Sequence, residues 1–213
     1  MYISFLHYVI ILLCISYGNF VYAHNFLGSQ NIKCTVQKES YNDYEPKKIN
    51  VTNNLLHKYD EIHNTSKEII IYGRLLDKNC NPVSNQKIEI WHCDTDGKYP
   101  YLTLRNDLNN KYIKNNSDST FIGSGTAFTN NKGEFAFITQ YPGKTLGSKP
   151  YISLRVKYNN IIFFNNESYE TKIFLAKSKI LNRYDKVLYL QNVMDIENIS
   201  DITVYKIQVV VPV

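Results

Sequence analysis

Only four cysteines occur in the 213 residues, too few to build a disulfide-stapled miniprotein, so a hydrophobic core has to carry the fold. Charge of one sign is also scarce: 24 Lys+Arg stand against 19 Asp+Glu, a formal +5. No Lys/Arg cluster is interleaved with aromatic residues, which removes the usual footprint of a nucleic-acid binder. The length excludes a multidomain machine, since single cores organise about 100–200 residues. A Gly-rich phosphate loop, a nucleophile elbow and a Ser/His/Asp constellation are all missing, and there is no internal repeat. What is present is aromatic and apolar. Tyr 18 far outnumbers Trp 1, and 44% hydrophobic with 20% charged residues describes a globular chain and not a disordered one.

Residues 1–23, MYISFLHYVIILLCISYGNFVYA, contain no Lys, Arg, Asp or Glu and close on Val21-Tyr22-Ala23. That pattern predicts a cleaved secretory signal, with a secreted or secretory-lumen protein as its product. Val9 to Ile15 is too short by itself to span about 30 Å of hydrocarbon, and no later segment could cross a membrane, so no transmembrane segment is expected after signal removal. Removal of the signal takes Cys14 with it and leaves Cys34, Cys80 and Cys93, an odd number that predicts one disulfide and one remaining thiol. A straight strand would hold Cys80 and Cys93 beyond the roughly 7 Å Cα limit for a bridge, so Cys34 is expected to pair with one of them. In that compartment the sequons at Asn50, Asn64, Asn115, Asn166 and Asn198 become candidate glycan acceptors.

Residues 24–67 are polar, hold Pro46 and lack periodicity, and they are read as an extended arm over a domain at 68–213. From Glu68 the pattern changes to short β-branched runs. Ile69 to Leu75, Ile88 to Cys93, Phe121 to Ala127, Phe135 to Phe137, Tyr151 to Val156 and Ile202 to Val211 alternate or run apolar. Turn chemistry at Asp77–Pro82, Asp94–Gly97, Asn130–Gly133 and Tyr141–Gly143 separates them. Residues 105–118 read as a polar loop and 180–192 as a short helix. The spacing predicts an all-β, antiparallel β-sandwich with an N-terminal arm.

Several of these segments carry a resemblance. Gly73-Arg74-Leu75-Leu76-Asp77, Cys80-x-Pro82-Val83 and above all Ile88-Glu89-Ile90-Trp91-His92-Cys93-Asp94-Thr95-Asp96-Gly97-Lys98-Tyr99 are similar to the core of the intradiol ring-cleavage dioxygenases. The secreted branch of that family, with its DIWHCDA-x-G-x-Y stretch, is the better match, and Thr120 to Gly123, Thr129-Asn130-x-x-Gly133 and Tyr141-Pro142-Gly143 continue it. The resemblance implies a transthyretin-like sandwich in which two tyrosinates and two histidines hold a non-haem Fe(III). That ion binds a catechol as a chelating dianion and promotes cleavage between its hydroxyls by O₂.

Carried over residue by residue, the ligand positions fall on Tyr99, Thr145, Tyr151 and Ser153. Only Tyr99 keeps the family's residue. The Pro-His-Ile-His pattern aligns without a gap on Pro150-Tyr151-Ile152-Ser153, and the arginine that precedes it falls on Ser148. Neutral Thr and Ser hydroxyls are poor donors to Fe(III). The expected protein is therefore noncatalytic, with no cofactor, retained as a binding or structural module for a protein or carbohydrate partner. The alternative is an Fe(III) ring-cleavage enzyme of unusual ligation, with Tyr99, Tyr151 and water as ligands. His92 reads as a hydrogen-bonded structural residue, His57 and His63 have no metal-site spacing, and Asp94 and Asp96 read as turn formers.

Overall fold

Period-two burial begins where the sequence changes character: along Glu68–Leu76 the residues Ile69, Ile71 and Leu75 are fully buried while Ile70, Tyr72 and Arg74 between them are half-buried. In the computed structural model the described residues are 34–36, 44–56, 68–101, 121–145, 149–158, 168–175, 193–199 and 202–212. The chain divides into Met1–Lys33 and Cys34–Val213, and every described residue lies in the second unit. The expected signal segment, the loop at 105–118, the helix at 180–192, Ser148, His57 and His63 lie outside the described residues.

Among the described residues, eight strands form two four-stranded sheets. In chain order they are β1 (Glu68–Leu76), β2 (Lys87–Trp91), β3 (Ser124–Phe128), β4 (Glu134–Gln140), β5 (Tyr151–Lys157), β6 (Ser168–Phe174), β7 (Val193–Ile199) and β8 (Ile202–Val210). One sheet has the order β4-β1-β8-β7 and the other β3-β2-β5-β6. Alternation is the reason for the sandwich. Ile69, Ile71, Leu75, Phe135, Phe137, Tyr205, Ile207 and Val209 from the first sheet meet Ile88, Ile90, Ile152, Leu154, Val156, Tyr169 and Ile173 from the second in one apolar cluster.

The sandwich predicted from the spacing is the fold observed, with one difference of direction: β1 pairs with β8 in parallel, from Ile69↔Thr203 to Leu76↔Val210. Side-chain alternation is the same in a parallel and an antiparallel neighbour, so periodicity could not reveal this pairing.

The arm differs more. It is expected to lie over the domain, and Tyr44 to Asn50 do cover the outer face of the second sheet, with Glu45 ion-paired to Arg155 and the Asn50 amide donating to Ser124 Oγ. The next residues become part of the sandwich. Thr126 N–H donates to Thr52 O and Ile122 N–H to Leu55 O on the β3 side, while Ile138 N–H donates to Asn53 O and Leu55 N–H to Ile138 O on the β4 side. The arm thus closes the gap between two sheet edges, satisfying backbone groups that would otherwise be left open, and it buries Leu55 completely.

Cys34 bonds to Cys80 across a sequence separation of 46, with Cα atoms 5.4 Å apart, and Cys93 remains a buried thiol. Of the sequon residues, Asn50 and Asn198 are described, the latter accepting a hydrogen bond from Thr203 Oγ1; Asn64, Asn115 and Asn166 lie outside the described residues.

Candidate functional site

Because Ile152, Leu154 and Val156 face the core, strand geometry turns Tyr151, Ser153 and Arg155 of β5 to the opposite face of the second sheet. Glu89 and Trp91 of β2 stand beside them, with Trp91 opposite Ser153 and Glu89 opposite Arg155. On the other flank, β6 places Glu170 opposite Arg155 and Lys172 opposite Ser153. An outer sheet face would normally be wet. Here Glu89, Trp91, Ser153 and Arg155 are all buried.

Tyr99 reaches this face from the loop after β2. Asp94 shapes that loop: its Oδ1 accepts the N–H groups of Asp96 and Lys98 at 3.0 and 2.8 Å, and its carbonyl accepts those of Gly97 and Gly143. The two glycines let the segments touch. Gly97 has φ +80, and a Cβ on Gly143 would sit 2.4 Å from Thr95 O, a distance only a hydrogen side chain permits. The Tyr141-Pro142-Gly143 stretch is thereby welded against the Tyr99 loop, and Thr145 follows into the site.

Of the four positions that the resemblance assigns to ligands, three can be placed by contact. Tyr99, 1% exposed, has its hydroxyl 3.3 Å from that of Tyr151. The Thr145 hydroxyl donates to Cys93 Sγ at 3.3 Å, while the thiol approaches Gly143 O at 3.5 Å. Ser153 lies two residues beyond Tyr151 on the same face and is buried. Burial pushes the Tyr99 phenol far above its ordinary range, and the neighbouring phenols of Tyr151 and Tyr101 push the same way. Burial likewise raises Tyr101, with Cys93 and Tyr151 adding to it, and burial raises the Cys93 thiol.

The site thus gathers buried phenols, a hydroxyl and a thiol. It does not fit Fe(III) as the resemblance would have it held: Tyr151 and Ser153 stand where the resemblance expects imidazoles, the Thr145 hydroxyl donates to Cys93, and the two phenol hydroxyls lie 3.3 Å apart. No group of three or more His, Cys, Asp or Glu among the described residues is arranged to hold a metal either.

His92 is not part of this cluster. It sits at the end of β2, fully buried, against Phe121, with Nδ1 2.7 Å from Cys93 O and Nε2 2.8 Å from Thr139 Oγ1. A carbonyl can only accept, so Nδ1 carries the proton and Nε2 accepts from Thr139. That arrangement suits the structural role read from the sequence.

Sequence reasoning missed Tyr44, Tyr101 and the role of Cys93. Tyr44 stacks on Tyr99 with centroids 4.4 Å apart and planes 10° from parallel, and Tyr101 meets Tyr99 edge-on at 5.7 Å. Together Tyr44, Cys93 and Tyr99, with Tyr101 against them, make a second apolar cluster separate from the main core. No spacing rule links residue 44 to residue 99; the only signal was the surplus of tyrosine.

The dioxygenase family model matches residues 41–149. A protein of Rickettsia bellii (strain RML369-C) that carries a provisional dioxygenase name is 37% identical over 149 residues, which span 70% of this chain and 69% of that relative. The dioxygenase domain of a dioxygenase–carbohydrate-binding protein fusion from Streptomyces sp. SirexAA-E superposes with a TM-score of 0.61 at 15% identity, over 84% of this chain and 99% of that one. An intradiol ring-cleavage dioxygenase from Tetranychus urticae does so at 0.61 and 19%, over 84% and 95%. At those identities the two structures establish the shared fold.

Proposed function

Since the chain belongs to the intradiol ring-cleavage dioxygenase family, its departures at the family's centre decide its function, and we propose that it is a secreted, noncatalytic member serving as a binding or structural module. The observation that carries the reading is the donor set. Tyr99 and Tyr151 offer hydroxyls to each other at 3.3 Å, and Thr145 offers its own to Cys93 where the family needs a second tyrosinate. Hard anionic phenolates together with imidazoles are what hold Fe(III) and let a catechol chelate it. Exchanging three of four donors for neutral hydroxyls or a hydrogen-bonded phenol removes bonds to the metal that no His, Cys, Asp or Glu group among the described residues replaces.

The fold survives this loss because the ligand positions never supported the core. Tyr151 and Ser153 lie on the outer face of the second sheet and Tyr99 and Thr145 in loops beside it, and the sandwich is filled from its inner faces. Secretion is the reading of the apolar residues 1–23 and accords with a cystine at Cys34–Cys80, a bond that lasts in oxidising compartments. The partner it would serve is a protein or a carbohydrate.

The test is oxygen uptake. After incubation with ferrous iron in air, the purified protein is expected to consume oxygen with catechol no faster than a protein-free control. Uptake that is abolished by Tyr99→Phe would overturn the proposal and establish an enzyme of unusual ligation.

A further inference from the structure

We infer that Tyr44 is a built-in occupant of an aromatic slot beside Tyr99, so that the arm closes this site to planar aromatic ligands of phenol class. Four observations converge on it. The Tyr44 ring lies face to face on Tyr99, 4.4 Å between centroids and 10° from parallel, which is how a flat ligand would be held there. The ring is 4% exposed, although residue 44 belongs to no strand. The cluster it completes is separate from the main core, so withdrawing the ring opens the slot without unpacking the sandwich. The next residue is an anchor: Glu45 Oε1 lies 2.6 Å from Arg155 Nη2, on the strand that also carries Tyr151.

The slot has the chemistry to receive a phenol in place of Tyr44. Tyr99 is the face that Tyr44 covers, Cys93 shares their cluster, and Tyr101 packs edge-on against Tyr99, so the surroundings are mainly aromatic. The Tyr101 hydroxyl is buried with no hydrogen-bond partner among the described residues, a cost that an incoming hydroxyl could remove. Truncating Tyr44 leaves a ring-sized space that a small aromatic molecule can fill, as apolar cavities do.

The experiment is thermal unfolding with and without phenol, in buffer containing a chelator. Phenol is expected to raise the melting temperature of Tyr44→Ala in a concentration-dependent way and to leave the wild type and Tyr44→Phe unmoved, because a ligand that binds only the folded state stabilises it by mass action. Glu45→Gln, which keeps the ring but removes its charged anchor, is expected to show a smaller rise, and it serves if Tyr44→Ala fails to fold. A folded Tyr44→Ala that ignores phenol, or a wild type that responds as strongly, would overturn the inference. The outcome is separable from the reading of function: if Tyr44→Ala binds phenol yet consumes no oxygen with iron and catechol, the slot and the loss of catalysis both stand, whereas oxygen consumption would defeat the second alone.

Discussion

Arg155→Ala is expected to destabilise the domain by about 3–5 kcal/mol, seen as a lower urea midpoint at unchanged slope. Arg155 is 8% exposed, and its guanidinium serves three elements at once. Its Nη2 meets Glu45 of the arm at 2.6 Å and Glu170 of β6 at 2.5 Å, and Nη1 approaches Glu89 of β2 at 3.4 Å. It also lies over the Trp91 ring, 4.9 Å from the centroid. Removing it strands a carboxylate at Glu89 that is itself buried, and uncompensated buried charge is what makes breaking such a pair costly. Lys87 and Lys157 remain near Glu89 at 2.8 and 3.5 Å, which holds the loss toward the lower part of the range. Arg155→Lys is expected to lie between, because an ammonium keeps the charge but cannot reach three carboxylates as a planar fork does. An unchanged midpoint in Arg155→Ala would show that the arm and sheet are held by packing alone.

The second large effect is on acid stability. Burial lowers the pKa of His92 from 6.5 to about 4, against the smaller upward pull of its hydrogen bond to Cys93 O. The unfolded chain therefore takes up a proton at His92 near pH 6.5, while the folded protein does so only near pH 4. The neutral, buried imidazole contributes stability that is complete above pH 6.5 and is lost as pH falls toward 4, by about 3 kcal/mol in all. Below that interval both states are protonated and the loss is constant. Urea midpoints of the wild type and His92→Gln, followed from pH 7.5 to pH 4, isolate this share from that of the carboxylates. The wild type is expected to lose stability more steeply than the variant. Parallel profiles would mean that His92 is charged in the fold, or titrates alike in both states.

Much of the sandwich was legible because one face of each main strand is apolar. β1, β4, β5 and β8 declare themselves by alternation, and the Asn130–Gly133 turn by its side chains, since Asn130 Oδ1 accepts the N–H groups of Lys132 and Glu134. β6 escaped notice because one of its buried positions is Thr171, between Tyr169 and Ile173, which interrupts an apolar reading. β7 carries Asp195 and Glu197 at an edge with an irregular register near Val193, so it shows little of the usual strand pattern. The second half of the arm could not be read at all, since Thr52 to Leu56 join the sandwich through backbone hydrogen bonds, and those are blind to side-chain pattern.

At the site, the alternation of β5 placed Tyr151, Ser153 and Arg155 on one face, and the resemblance set Tyr99 beside them. Neither indicated that this face is buried. That depends on Tyr44 and Glu45, which lie far away in sequence and gain their partners only when the arm folds across the sheet. The commitment of Thr145 to Cys93 was hidden for the same reason: it arises from the contact of two turns, made possible by Gly97 and Gly143.

Iron titration of the purified protein, followed by its visible absorption band, tests most directly the proposal that Tyr99, Thr145, Tyr151 and Ser153 no longer hold iron. The account predicts far less than one tightly held iron per chain after gel filtration and no phenolate-to-Fe(III) charge-transfer colour. One iron per chain with such a band, lost in Tyr99→Phe, would contradict it.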